Sequence, residues 1–134
     1  MITVSALISA PVQEVWEKWT NPKHVINWNF ASDDWCCPSA SGELKVGGIF
    51  TSRMEAKDGS FGFDFACKYT RVVPFSLLEY TMIGADRSVK VEFIDKGDRT
   101  EVIESFVPEE ENSYELQQQG WQAILNNFKK YAEQ

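Results

Sequence analysis

Asp33, Asp34, Cys36 and Cys37 crowd one short stretch, NFASDDWCCP, at residues 29–38, and the chain's single histidine, His24, lies just upstream. These residue types could hold a metal, form a thiol nucleophile or move a proton. Zinc takes Cys and His ligands at spacings that let several converge, and no second pair such as CxxC is present. Neighbouring residues of an extended segment point to opposite faces, so Cys36 and Cys37 do not converge on one ion. No metal is expected. A reactive thiol needs a cationic neighbour or a helix N-terminus to depress its pKa, and Asp33 and Asp34 act in the opposite sense. Serine–histidine–acid chemistry would have to recruit His24. No GxSxG, P-loop or dinucleotide fingerprint accompanies it.

Glu104 is placed differently. In TEVIESFV, residues 100–107, Thr100, Val102, Glu104 and Phe106 share one face of a strand. Glu101, Ile103, Ser105 and Val107 share the other, and both faces mix polar with apolar residues, so periodicity leaves the inward face open. If Glu104 points inward, burial raises its pKa and makes it an acid/base or ligand anchor. Pairing with Arg53 or Arg71 is the structural alternative.

The elements that would position these groups follow from hydrophobic period. ITVSALIS alternates as a half-buried strand. In APVQEVWEKWTNP, Val12, Val15, Trp16 and Trp19 form one helical face, with Pro11 at the first helical position. Asn21 and Pro22 open a second, short helix through Trp28. Residues 29–42 read as a loop, punctuated by Pro, Ser and Gly. Strands follow from Gly42, with a Gly47-Gly48 bend and an Asp58-Gly59 hairpin turn. SLLEYTMI, SVKVEFID and TEVIESFV add three more, joined by short turns, which predicts an antiparallel meander. The period then changes. Residues 113–132 predict a long helix with Trp121, Leu125 and Phe128 towards the sheet, capped by Asn112 with Glu115 three residues on. The fold class expected is α+β, with helices on one face of an antiparallel sheet, over a single domain 1–134. Gly120, inside that last helix, predicts either a close contact or a cavity.

Composition bounds the function. Net charge is −7 with 13 Lys and Arg against 20 Asp and Glu, which excludes nucleic acid as a partner. No apolar run reaches the length of a membrane span, so no membrane insertion is expected. The N-terminal MITVSALIS lacks the basic-then-apolar pattern of a secretory leader, and three cysteines make a poor disulfide framework. A cytoplasmic location is expected. Aromatic content of 13% must line a core or a cavity.

The segments ISAPVQEVWEKWTNPKHVINW, DGSFGFDF, VVPFSLLEYT and GWQAILNNFKKY, in that order, resemble the family related to the C-terminal domain of the Hsp90-ATPase activator. That family lies in the START/Bet v 1-like superfamily, also called SRPBCC or polyketide-cyclase-like. The resemblance spans Ile2 to Tyr131. It implies a helix-grip fold: a curved seven-stranded antiparallel sheet around the C-terminal helix, with an elongated cavity between them. It also turns the Val102 face inward, which places Glu104 in that cavity. Relatives tend to carry His where this chain has Cys36, so a role needing imidazole there is not carried over.

On this reading Trp28, Phe30 and Trp35 form an apolar rim. Phe63, Phe65, Tyr69, Tyr80 and Phe93 line the sheet wall, and Trp121, Leu125 and Phe128 the helix wall. The function implied is binding of a small apolar or aromatic molecule. A cyclase- or hydrolase-like enzyme with Glu104 as acid/base is one alternative, and a chaperone-associated partner is another. No cofactor is implied, and a weak homodimer is the protein association left open.

Overall fold

The computed structural model describes residues 1–134. Its elements run β1 (Ile2–Ile8), α1 (Val12–Thr20), α2 (Pro22–Val25), β2 (Trp35–Gly42), β3 (Ile49–Ala56), β4 (Gly62–Val73), β5 (Leu77–Met82), β6 (Ser88–Asp95), β7 (Thr100–Phe106) and α3 (Tyr114–Ala132). The seven strands make one antiparallel sheet in the order β1-β7-β6-β5-β4-β3-β2. Strands β2 to β7 are a meander, and β1 joins beside the last of them, Ile2 opposite Phe106 and Ile8 opposite Thr100. The sheet curls into a half-barrel, and bulges between Cys36 and Ser39 and between Tyr69 and Arg71 bend β2 and β4.

Burial follows the pleat. On β7 Thr100, Val102, Glu104 and Phe106 are buried while their neighbours are partly exposed. On α1 the four positions Val12, Val15, Trp16 and Trp19 are buried. Leu125 and Phe128 of α3 are fully buried, and Trp121 lies flat on Phe106 with ring centroids 3.9 Å apart. Thr100 sits deep in the core, and its Oγ1 donates to Ala10 O at 2.9 Å.

Helix α3 also closes one edge of the sheet. Gln118, Gln122 and Lys129 donate to the carbonyls of Thr3, Ser5 and Leu7, at 3.3, 3.1 and 2.7 Å. Glu133 accepts from the Ser9 N–H at 2.8 Å. Carbonyls at alternate residues are those that β1 turns away from β7, so helix side chains take the place of an eighth strand.

Four expectations are corrected. Residues 35–42 form a strand, not a loop. An edge strand needs one row of hydrogen bonds, so it accommodates Pro38 beside a bulge. Pro11 is the N-cap of α1, its ψ of 155° still extended. Ser113, not Asn112, caps α3, its Oγ accepting from Leu116 N at 3.1 Å. The helix α2 is also shorter than expected, ending at Val25.

Candidate functional site

Between α3 and the concave sheet face lies a cleft of about 580 Å³ lined by 30 residues, of which 15 are hydrophobic. Strands β3, β4 and β5 supply its floor through inward alternate positions: Phe50, Ser52 and Met54; Phe65 and Tyr69; Tyr80 and Met82. Glu104 of β7 stands on the far wall. Leu116, Gln117, Trp121 and Ile124 of α3 form the roof, and Trp19 and Trp28 close one end. Gly120 falls among those roof residues by helical spacing, and a Cβ built there would meet nothing within 4 Å. Its expected neighbourhood is therefore open space, not a tight contact.

The aromatic walls are pre-packed. Phe50 meets Tyr69 at 5.1 Å and stands edge-on to Tyr80 at 5.3 Å. Trp28 is fixed by Nε1–H donating to Lys18 O at 2.9 Å, while its own carbonyl accepts from Asn127 Nδ2 at 2.8 Å. These two bonds tie the segment after α2 to α1 and α3.

Two buried polar groups in the lining lack partners. Ser52, 1% exposed, has an Oγ with no full hydrogen bond, only a weak contact with the Cys37 thiol, whose pKa it lowers. Glu104 is 5% exposed, and no hydrogen bond or ion pair reaches its carboxyl. Arg53 instead pairs with Glu55 and Asp64 on the outer surface, so the alternative pairing with Glu104 is not made. Burial pushes the Glu104 carboxyl up to about 8. Burial also raises Tyr80 well above the ordinary phenol range, with the nearby charge of Glu104 adding to it. Tyr69 is pushed up to about 12 by burial. A carboxyl that changes charge near neutral pH, facing an aromatic cleft, can donate a hydrogen bond, accept one, or offset a cation.

Of the residues expected to line the cavity, Trp28, Phe63, Phe65, Tyr69, Tyr80, Glu104 and Trp121 do so. Five do not. Phe93 packs edge-on against Trp16 and Trp19 at 5.2 and 5.9 Å, under α1. Phe128 fills the space against Trp19 and Trp28, each at 4.8 Å, and Leu125 is buried with it in the core. Trp35 turns to Phe61 and Phe63 at 6.1 and 6.2 Å, forming a half-exposed aromatic cluster beside the cleft. Phe30 is half-buried near Asn127, outside the lining. Phe50, Ser52, Met54, Arg87 and Gln117 were not anticipated. The alternation of Phe50, Ser52 and Met54 carried the signal for three of them.

The opening cluster does not gather. Cys37 is buried and Cys36 half-buried, and burial raises the Cys37 thiol above its usual pKa. Ser32 Oγ donates to Asp34 at 2.5 Å in an exposed turn. His24 Nδ1 lies 2.6 Å from the Tyr131 hydroxyl, so its ring is engaged there. No group of three or more metal-ligating side chains forms.

A curled antiparallel sheet gripping one long C-terminal helix over such a cleft is the helix-grip architecture of START/Bet v 1-like proteins. The chain belongs to the family described as activator of Hsp90 ATPase homolog 1-like protein, whose model matches residues 9–133. An AHSA1-like protein from Aeromonas hydrophila is 40% identical with a TM-score of 0.89, covering 98% of this chain and 92% of that one. A protein from Cytophaga hutchinsonii is 49% identical with a TM-score of 0.85, covering 98% of this chain and 91% of that one. A Chromobacterium violaceum protein, at 18% identity and a TM-score of 0.80 over 99% of this chain and 96% of that one, shares the fold. No curated protein matches this chain. No helix is long and apolar enough to cross a membrane.

Proposed function

We propose that the protein binds a small, largely apolar or aromatic molecule in the cleft between α3 and the sheet. Family and fold suggest a ligand-binding or activator-type function, and the cleft favours the first. The observation that carries the reading is the cleft itself. Its volume of about 580 Å³ suits a small organic molecule, and aromatic side chains line its floor, roof and end. Ser52 and Glu104 add two unpartnered polar groups, the sparse kind that fixes a ligand's orientation.

Titrating naphthalene and biphenyl while following tryptophan fluorescence tests this. Trp19, Trp28 and Trp121 line the cleft, so saturable quenching is expected. It should vanish in Gly120→Leu, whose side chain enters the cleft. Absence of saturable quenching by either probe would sink the reading. A cyclase- or hydrolase-like reaction is the second reading, favoured by a Glu104 proton that exchanges near neutral pH. If Glu104 is an acid/base group, Glu104→Gln loses about 10²–10⁴-fold in turnover while binding persists.

A further inference from the structure

We propose that the ligand carries an ammonium group on its apolar body, and that this cation sits against the unpartnered Glu104 carboxylate among the aromatic rings of the cleft. This rests on the cleft being a ligand site. Three observations select a cation over an anion or a wholly neutral molecule. First, Glu104 is nine-tenths buried and faces the cleft with neither hydrogen bond nor ion pair. Burial keeps this carboxyl, left alone, protonated, and a ligand cation is the partner that makes its ionised form favourable in the cleft. Second, the aromatic side chains Phe50, Tyr69, Tyr80 and Trp121 line the same cleft, and an aromatic ring attracts a cation placed over its face through its quadrupole. Third, the formally charged groups of the lining are Glu17, Glu43, Glu104 and Glu109 against the single base Arg87. Glu43 is already paired with Lys45 at 2.9 Å, yet Glu17 and Glu109 still outweigh Arg87. An anionic ligand would meet this excess of negative charge.

The groups around Glu104 leave the position for a cation open. Tyr80 on β5 and Tyr69 and Cys67 on β4 are held neutral by burial. The neighbours of Glu104 across the sheet are Val4 on β1 and Val91 on β6. Helix α3 contributes Leu116, Gln117, Trp121 and Ile124, and β3 contributes Phe50, Thr51, Ser52 and Met54, none of them charged. Arg87, in the turn between β5 and β6, is engaged with the Val107 carbonyl at 2.9 Å. Glu109 lies between β7 and α3, and Glu17 on α1 is exposed.

Binding of a cation is then coupled to loss of the Glu104 proton. In the empty cleft this carboxyl titrates at about 8, so little of it is ionised at pH 6 and most of it at pH 9. Apparent affinity for a fixed positive charge scales with the ionised fraction, and should rise roughly a hundred-fold from pH 6 to pH 9. Isothermal titration calorimetry with benzyltrimethylammonium, whose charge does not depend on pH, reads this directly. Neopentylbenzene is its uncharged carbon isostere, and acetophenone a neutral hydrogen-bond acceptor. The expected result is a charged probe that tightens with pH while neopentylbenzene stays flat. In Glu104→Gln, shown to be folded by circular dichroism, the charged probe should lose both its pH response and its advantage over the isostere. The wild-type pH series stands as a test without the variant. If neopentylbenzene binds at least as tightly as benzyltrimethylammonium at pH 9, and the charged probe does not respond to pH, the cation is wrong and the apolar cleft survives. If acetophenone binds tighter at pH 6 than at pH 9 while the charged probe does not bind, Glu104 acts as a neutral donor and the proposal is overturned. If none of the three binds at any pH, the cleft reading falls with it.

Discussion

Glu104 is an acid in a place where an acid costs stability. Burial raises its folded-state pKa to about 8, above that of an unfolded glutamate, near 4.3. The folded chain therefore holds a proton that the unfolded chain releases between those values. Stability is unpenalised below the unfolded pKa, falls as pH rises through the window, and levels off above about 8. The loss should be on the order of a few kcal/mol. Glu104→Gln removes the titration, so the difference in melting temperature between variant and wild type should widen from pH 5 to pH 8 in the variant's favour. Exposed pairs such as Lys129–Glu133 cancel in that difference. Parallel pH profiles for the two proteins would show that Glu104 is not buried as an acid. The inward face of Glu104 was not legible from period, since both faces of its strand mix polar with apolar residues; only the family resemblance turned the side of Val102 and Phe106 inward. Ser52 shares the inward alternation of Phe50 and Met54, but a small hydroxyl fits either face of a strand, so its type did not mark it as a lining group. Phe93, Leu125 and Phe128 were legible as inward but not as core. Periodicity says which side is buried, and only the positions of α1 and α3 over the sheet decide whether that side is packed or hollow.

At the scale of elements, α3 does two jobs with different faces. One face packs Leu125 and Phe128 into the core and lends Gln118, Gln122 and Lys129 to the edge of β1. The other roofs the cleft and carries Gly120. Glycine costs about 1 kcal/mol relative to alanine inside a helix. A Cβ at this position meets no atom within 4 Å, so nothing opposes the gain. Gly120→Ala should raise stability by about 1 kcal/mol in urea denaturation and leave probe binding nearly intact. Gly120→Leu should cost less than the ~1–3 kcal/mol typical of overpacking, because it grows into space, while abolishing binding. A destabilised alanine variant would mean that the helix face is packed, not open. The long helix, its apolar stripe and the meander were readable from period alone. The strand β2 was not, because Pro38, the serines and Gly42 give it a loop's composition, and its pairing with β3 is a tertiary fact.

For the whole molecule, the cleft divides the fold into a dense half and a hollow half. The fully buried large side chains Ile8, Val15, Leu78, Val89, Val91, Val102, Phe106, Leu125 and Phe128 come from β1, α1, β5, β6, β7 and α3. From β3 only Ser52 is fully buried, and β2 supplies none. Helix α3 packs chiefly on β1, so β2, β3 and the start of β4 form a wing that floors the cleft instead of packing against the helix. Local opening costs least where few apolar contacts are broken. Amides of β2 and β3 should therefore exchange with deuterium at least roughly ten-fold faster than those of β6 and β7, which pair between two neighbours over the core. The edge of β1 should resemble β6 and β7 in this respect, because helix side chains cover it. Biphenyl in the cleft would supply the contacts the wing lacks, so added protection should concentrate at Phe50–Met54 and Phe63–Tyr69. Hydrogen exchange read by mass spectrometry resolves both statements. Equal protection of β2–β3 and β6–β7 in the free protein would refute the division. Protection gained uniformly, or gained on β1, would place the probe outside the cleft.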